Sequence, residues 1–247
     1  MKKIVIIIPS RLDAQRLPNK PLKLINNKEM ILHVHDQAIK SKVGEVYVAT
    51  PDEKIIATIK NSGGNAVKTS NTHETGTDRV FEVFKNRLNS QPDIIINLQG
   101  DMPNIQPQAI FDLVSYMKKN KCDIGTLASE FKSKSEINDP NVVKVAVKEK
   151  LSKNMFSNAF DFLRIDENSL NNLYHHIGIY AFTNKALIRY VSLKRSKLEL
   201  ERKLEQLRAL ENKMSIHVGY VESSPLSVDT EEDLIKVKNQ MEKNEKS

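Results

Sequence analysis

Three cations stand within ten residues, directly behind the apolar run Ile4–Ile8: Arg11, Arg16 and Lys20, in Ser10-Arg11 and Arg16-Leu17-Pro18-Asn19-Lys20-Pro21-Leu22. A triphosphate needs several positive groups around it before a nucleophile can approach. Arginine offers a planar fork to phosphate oxygens and lysine a point charge. The chain has neither a Gly-x-Gly-x-x-Gly nor a Walker A lysine motif, which excludes a dinucleotide fingerprint and a P-loop. Taken as composition alone, a basic surface loop fits as well.

Asp101 lies just past the end of a second strand-like run, Asp93–Leu98, in Asn97-Leu98-Gln99-Gly100-Asp101. A hard cation such as Mg²⁺ takes carboxylate and triphosphate oxygens together. One aspartate cannot hold it, and Asp229 in Ser227-Val228-Asp229-Thr230 is the candidate partner; its competing role is to cap the helix that follows. Gly76-Thr77-Asp78-Arg79 opens a helix and turns backbone N–H groups toward whatever lies there. Its competing reading is a cap with Arg79 on the surface. His176 and Tyr180 share one face of a strand, whereas His175 faces the other way. A strand histidine serves equally as core packing. Leu204, Leu207, Ala209 and Leu210 form an apolar stripe of core or dimer contact, with Glu205 and Gln206 beside it.

The elements that position these residues alternate. Strands are expected at Ile4–Ile8, Glu45–Thr50, Asn65–Thr69, Asp93–Leu98, Ile124–Glu130, Val142–Val147, Ile177–Phe182 and Ile216–Val221. Helices are expected at Glu29–Ser41, Asp52–Ser62, Thr77–Leu88, Gln106–Lys118 and Thr230–Glu242, with a helical region from Leu187 that includes Leu198–Leu210. Ser10–Lys28 reads as polar loop, Phe156–Leu173 gives no clear pattern, and Glu242–Ser247 reads as frayed. Strands alternating with helices of this length imply βαβ crossovers, hence a mostly parallel sheet with helices on both faces. Ligands bind beyond the carboxyl ends of such strands. Pro9–Pro21 and Gln99–Pro103 both follow strand ends and are expected to face each other across one cleft.

The 247 residues carry a net charge of +7, with 39% hydrophobic and 28% charged residues. The charges are mixed in sign, Arg195–Lys213 looks like a solvated helix face, and Trp is absent. A nucleic-acid-binding module is therefore disfavoured, and polyanionic small substrates account for the sign. No apolar run approaches the ~20 residues that span a bilayer. Met1-Lys2-Lys3 before Ile4–Ile8 is too short a pattern for a signal peptide. The single cysteine, Cys122, reads as a core residue of a reducing compartment. The reading is a cytoplasmic protein without membrane insertion.

The blocks Ile8-Pro9-Ser10-Arg11-Leu12 and Arg16–Leu22 resemble the nucleotide-binding signature of sugar nucleotidyltransferases. The subfamily they are most similar to is 3-deoxy-manno-octulosonate cytidylyltransferase. The resemblance continues through Val48-Ala49-Thr50, His73–Arg79, Asn97–Asp101, Asp139–Val145, His176–Tyr180, Leu204–Glu211 and Val228-Asp229-Thr230, in the family's order and over nearly the whole chain. It implies a three-layer, Rossmann-like fold with a mostly parallel mixed sheet and a smaller dimerisation and sugar-binding lobe. The nucleotide-binding part would be about 1–130, the lobe about 131–222, and the return to the core about 223–247. It implies transfer of CMP from CTP to the sugar acid Kdo, with release of pyrophosphate, for lipopolysaccharide biosynthesis. Ser10, Arg11, Arg16, Lys20, Thr77, Arg79 and Gln99 would meet the nucleotide. Gln99, His176, Tyr180, Glu205 and Gln206 would meet the sugar acid. Asp101 and Asp229 would hold Mg²⁺, and the protein would be a homodimer.

Two positions depart from the family's pattern. Met102 stands where a glutamate usually follows the metal aspartate. Asn158, in Phe156-Ser157-Asn158-Ala159-Phe160-Asp161, stands where an arginine of the sugar pocket is usual, and Arg164 is the nearby substitute. The alternative they raise is a cytidylyltransferase for a modified or different ulosonic acid, such as 8-amino-Kdo. A binding protein that has lost catalysis is a further alternative, disfavoured by Lys20, Asp101 and Asp229.

Overall fold

A computed structural model describes residues 2–13, 16–153, 155–165 and 170–246. The chain divides into two compact units, Met1–Phe111 with Pro225–Ser247, and Asp112–Ser224.

The first unit is built on parallel strands. In chain order it holds β1 (Ile4–Pro9), β2 (Leu24–Ile25), β3 (Lys28–Glu29), α1 (Met30–Lys40), β4 (Glu45–Thr50), α2 (Glu53–Asn61), β5 (Asn65–Lys68), α3 (Gly76–Glu82) and β6 (Ile94–Leu98). Its main strands lie in the order β5-β4-β1-β6, all parallel. β1 and β6 are apolar almost throughout and buried, as strands covered on both faces must be. The crossovers through α1 and α2 step outward from β1, while that through α3 steps back across it. Right-handed crossovers therefore put α3 on the face opposite α1 and α2, which gives three layers.

The expected loop 10–28 contains a hairpin, β2 with β3, turned through Asn26 and Asn27, both with positive φ. Asparagine tolerates this conformation, and two such residues make the tight turn that matches strand twist. The helix expected over Thr77–Leu88 is α only to Glu82 and continues as a π-helical turn, Val83–Arg87.

After α4 (Pro107–Lys119), within which the division falls, the second unit holds β7 (Ile124–Ser129), α5 (Lys134–Asn138), β8 (Lys144–Val147), β9 (Phe156–Leu163), β10 (Leu173–Thr183), α6 (Asn184–Ser192), α7 (Lys197–Arg202), α8 (Leu207–Glu211) and β11 (Ile216–Tyr220). Its pairings run β10-β7-β11-β9-β8 and close on themselves through β10–β8. Only β7–β11 is parallel. "Mostly parallel" thus holds for the first unit and not for the second. The hand-over comes at Phe111/Asp112 instead of about residue 130, because β7 pairs with β10 and β11.

The helical region from Leu187 is three short helices, not one. Lys203 ends α7 in the left-handed conformation, with φ 55°. Leu204, Leu207 and Ala209 are buried in the protein's own interior and Leu210 is half-buried, so the stripe is mostly core. Cys122 is buried beside Met117, as expected. The final helix, α9 (Glu231–Lys246), returns to the first unit and runs on through the stretch expected to fray, of which Ser247 lies outside the described residues.

Candidate active site

In the first unit the strand order reverses between β1 and β6, the point at which open α/β sheets bind ligands. β1 delivers Ser10 and Arg11 there, and β6 delivers Gln99 and Asp101. The two ends approach closely, since a Cβ on Gly100 would lie 3.3 Å from the Pro9 carbonyl oxygen. The loop behind β1 is pinned at its start by Asp52, whose carboxylate accepts from the Leu12 amide at 2.9 Å. Further along it is pinned by Leu17, which packs with Ile25, Met30, Val228, Leu234 and Val237. This apolar cluster ties the cationic loop to the returning chain, where the Val228 amide donates to the Asp101 carbonyl at 3.0 Å. Lys20, Asp101 and Asp229 are brought together by that packing.

The Lys20 ammonium meets three acceptors: Asp101 Oδ2 at 3.3 Å, Asp229 Oδ1 at 3.1 Å and the Val228 carbonyl at 2.8 Å. Burial pulls its pKa down, but the charges of Asp101 and Asp229 outweigh that and hold it above the ordinary lysine value. Arg16 donates to the other oxygen of Asp229 at 3.1 Å. Asp229 does not cap α9. Thr230 does: its hydroxyl accepts from the Asp233 amide at 3.2 Å, and Asp233 Oδ2 accepts from the amides of Thr230 and Asp229 at 3.0 and 3.2 Å. The reciprocal cap satisfies the helix start and leaves the Asp229 carboxylate to cations.

The two carboxylates fit a divalent cation. They converge on a single cationic atom from separate segments, and Mg²⁺ needs only one or two carboxylates beside substrate phosphates. Among the described residues no group of three or more His, Cys, Asp or Glu could hold a metal, so an all-protein cage is not what these residues offer.

The remaining nucleotide candidates divide. The Ser10 hydroxyl is buried with no hydrogen-bond partner among the described residues, and Arg11 is exposed. Thr77 is buried and its hydroxyl accepts from Asn97 Nδ2 at 3.2 Å. Arg79 is buried too, not on the surface. It donates to Thr69 Oγ1 at 2.5 Å and to the Ser70 carbonyl at 2.8 Å, bracing the loop between β5 and α3. Burial, then the like charge of Arg11, lowers its pKa. His73 pairs with Glu82 and braces the same loop. Asn97, not singled out from the sequence, is a lone polar side chain in Ile94–Leu98, and its Oδ1 is buried without a partner among the described residues.

The second unit gathers the sugar candidates. β10 carries a register shift between Ile177 and Tyr180. The shift inserts two residues, an even number, so His176 and Tyr180 keep one face, with rings 5.4 Å apart. Buried Thr126 holds the bulge. Its hydroxyl lies 2.7 Å from the Ile179 carbonyl and 2.9 Å from His176 Nε2. A hydroxyl has one proton, so when it donates to Ile179 it accepts from His176 Nε2–H, a tautomer assigned from the network. Burial pushes the His176 pKa down to about 3 and holds the Tyr180 phenol well above its usual value. Both are neutral hydrogen-bonding groups. Glu205 and Gln206 lie in the break between α7 and α8, and the Glu205 carbonyl accepts from Tyr190 at 2.8 Å.

The two departures also acquire positions. Met102 is buried. Asn158 is exposed on β9. Arg164 donates to the carbonyls of Pro140 and Arg202 at 3.0 and 3.4 Å, so it is engaged in the fold. Arg195–Lys213 is not simply a solvated face: Arg208 and Glu199 form a buried ion pair, missed because each alone looks like a surface charge.

The family model for cytidylyltransferases matches residues 5–216. The 3-deoxy-manno-octulosonate cytidylyltransferase of Bartonella tribocorum is 40% identical over 95% of this chain and 96% of its own length. That of Brucella ovis is 42% identical over 94% and 93%. A solved structure of CMP:2-keto-3-deoxy-manno-octonic acid synthetase complexed with CTP is 36% identical, with a TM-score of 0.88 over 98% of this chain and 99% of that one. A cytidylyltransferase from Leptospira borgpetersenii, 18% identical, shares the fold at a TM-score of 0.62 over 100% and 96%. The chain belongs to the cytidylyltransferase family, among the 3-deoxy-manno-octulosonate cytidylyltransferases.

Proposed function

We propose that this protein transfers CMP from CTP to the anomeric hydroxyl of Kdo, releasing pyrophosphate and supplying CMP-Kdo for lipopolysaccharide. The observation that carries this is the convergence of Lys20, Asp101 and Asp229 at the carboxyl ends of β1 and β6. Phosphoryl transfer relies on positioning and charge neutralisation. Arg11, Arg16 and Lys20 hold the triphosphate. The Ser10 hydroxyl and Gln99 meet the nucleotide beside them. Thr77 and Arg79 act on the same ligand through the start of α3 and the loop they brace. Asp101 and Asp229 hold Mg²⁺, which supplies charge neutralisation at the phosphates.

Lys20 and Arg16 contact the two carboxylates. Asp101 and Asp229 would hold the divalent ion, whose charge would neutralise the carboxylates beside the phosphates that Lys20 and Arg16 would face.

His176, Tyr180, Glu205 and Gln206 bind the sugar acid. The neutral imidazole and phenol recognise hydroxyls and cannot neutralise a carboxylate. A cytoplasmic homodimer completes the reading. Exposed Met155, Phe160 and Ile165 in the second unit are apolar surface that such an interface would cover. No helix among the described residues is long and apolar enough to cross a membrane.

The test is pyrophosphate release from CTP and Mg²⁺ in the presence of Kdo. Release with the wild-type protein and its loss in Asp101→Ala is expected. Folded wild-type protein that releases none refutes the proposal.

A further inference from the structure

The break between α7 and α8 is held by charged and aromatic groups that have no access to solvent. Glu199 is 1% exposed and Arg208 is 4% exposed. Arg208 donates twice to Glu199, Nε to Oε2 at 2.8 Å and Nη2 to Oε1 at 2.6 Å. Glu199 also accepts from the Ser196 amide at 3.1 Å and from Arg195 Nε at 3.1 Å. The Arg208 guanidinium lies over the Tyr190 ring, 4.6 Å from its centroid. Tyr190 reaches past it to donate to the Glu205 carbonyl at 2.8 Å. The Tyr190 ring continues a row on β10 and α6: His176 to Tyr180 at 5.4 Å, Tyr180 to Phe182 at 6.3 Å, Phe182 to Tyr190 at 5.7 Å.

A buried ion pair is a weak source of stability, since apolar residues of the same volume do as well. What it supplies is direction, because a bidentate fork fixes both partners. Here the fixed object is a helix break without Gly or Pro, with Lys203 in the left-handed region. The residues between Lys203 and α8 are Leu204, Glu205 and Gln206. Leu204 is buried as the anchor.

We infer that Tyr190, Arg208 and Glu199 form a positioning unit that sets the Glu205-Gln206 segment for the sugar acid. Tyr190 is itself 1% exposed and its hydroxyl is engaged by the Glu205 carbonyl, so it acts through that carbonyl. The inference rests on the reading that Gln206 meets Kdo.

Steady-state kinetics with CTP and Kdo varied separately test it, on Tyr190→Phe, Arg208→Lys and Gln206→Ala. Tyr190→Phe keeps the ring under Arg208 and removes one neutral hydrogen bond. It should raise the KM for Kdo about two- to tenfold, with the KM for CTP near wild type and the melting temperature lower by no more than about 2–12 °C. Arg208→Lys, which keeps the charge and loses the fork, should raise the KM for Kdo further. If Gln206→Ala raises the KM for Kdo and Tyr190→Phe leaves it unchanged, the positioning role is overturned and the sugar reading stands. If Gln206→Ala leaves it unchanged, the sugar reading fails and takes the inference with it. Equal changes in both KM values for Tyr190→Phe also overturn it, because they mark a merely structural role.

Discussion

Replacing Lys20 by methionine deletes a charge while keeping an unbranched stem of similar volume. The wild-type ammonium satisfies Asp101, Asp229 and the Val228 carbonyl at once. Without it, Asp101 and Asp229 face each other, and Arg16 remains on Asp229 among the described residues. A pair of unit charges about 4 Å apart is worth about 4 kcal/mol at an effective dielectric of about 20, and breaking a buried pair costs about 3–5 kcal/mol. The Lys20 and Asp101 side chains are 16% and 19% exposed, but Asp229 is 40% exposed and is screened accordingly. The expected loss is roughly 2–4 kcal/mol, or roughly 4–16 °C in melting temperature for a chain of this size. The assay is a thermal melt in EDTA and again with Mg²⁺. Lys20→Met should melt low in EDTA and regain much of the gap with Mg²⁺, because a cation that binds only the folded state stabilises it by mass action. The wild type should gain little, since its own lysine already fills the place. A Lys20→Met protein that melts within about 2 °C of wild type in EDTA would show that the carboxylates are not held together by this charge. Equal Mg²⁺ gains in both proteins would show that lysine and metal do not compete, and either result refutes the reasoning.

Other consequences follow from the same contacts. Removing the Thr230 hydroxyl with Thr230→Ala breaks the cap beside Asp229 and should cost about 1 kcal/mol in urea unfolding. Glu199→Gln leaves Arg208 charged in a buried site and should cost about 3–5 kcal/mol; a melt unchanged from wild type would contradict the buried ion pair. His176 titrates at 6.5 when unfolded and at about 3 when folded, so the unfolded chain binds the extra proton as pH falls below 6.5. Stability from this group is complete above 6.5 and declines toward 3, by about 2 kcal/mol at pH 5. His176→Gln should flatten that decline; an unchanged slope between pH 7 and 5 would mean that the imidazole is not held neutral.

The first unit was legible because its strands are buried on both faces and its helices carry one apolar side. Glu45–Thr50 is a strand with the expected bounds, and α1, α2 and β6 differ from expectation by a residue or so at each end. The second unit was harder, for reasons visible in β9. That strand turns Ser157 and Ala159 inward and Phe160 outward, so its polarity contradicts its burial. The breaks after α6 and α7 carry no Gly or Pro, and Lys203 adopts the left-handed conformation because tertiary contacts require it. The site shows the same division. Lys20, Asp101 and His176 each follow or lie in a readable strand. The capping role of Thr230 and Asp233 depends on which of two adjacent residues turns inward, which spacing alone does not decide. Glu199 with Arg208 reads as two surface charges until the fold buries them together.

The polar groups of the second unit also bear on how the sugar acid is told apart from other ligands. Asn158 stands on β9 where the resembled family has a cation, and three cations near it are engaged in the fold. Lys144 is fully buried, with its ammonium on the carbonyls of Asp139 and Arg164 at 2.5 and 2.6 Å. Arg164 is held by the carbonyls of Pro140 and Arg202, and Arg202 by Asp161 at 2.7 Å and the Phe162 carbonyl at 3.0 Å. These three cations stabilise the turns around β8 and β9. Moving any of them onto a ligand carboxylate would leave carbonyls unpaired, at a cost of about 1–3 kcal/mol each when buried. His176 and Tyr180 are neutral and arranged as acceptor and donor on one face. On the proposed reading, discrimination in this unit would rest on the pattern of sugar hydroxyls more than on the carboxylate charge. A site built to hydrogen-bond a hydroxyl rejects an analogue that lacks it, because its own buried polar groups are then left unsatisfied.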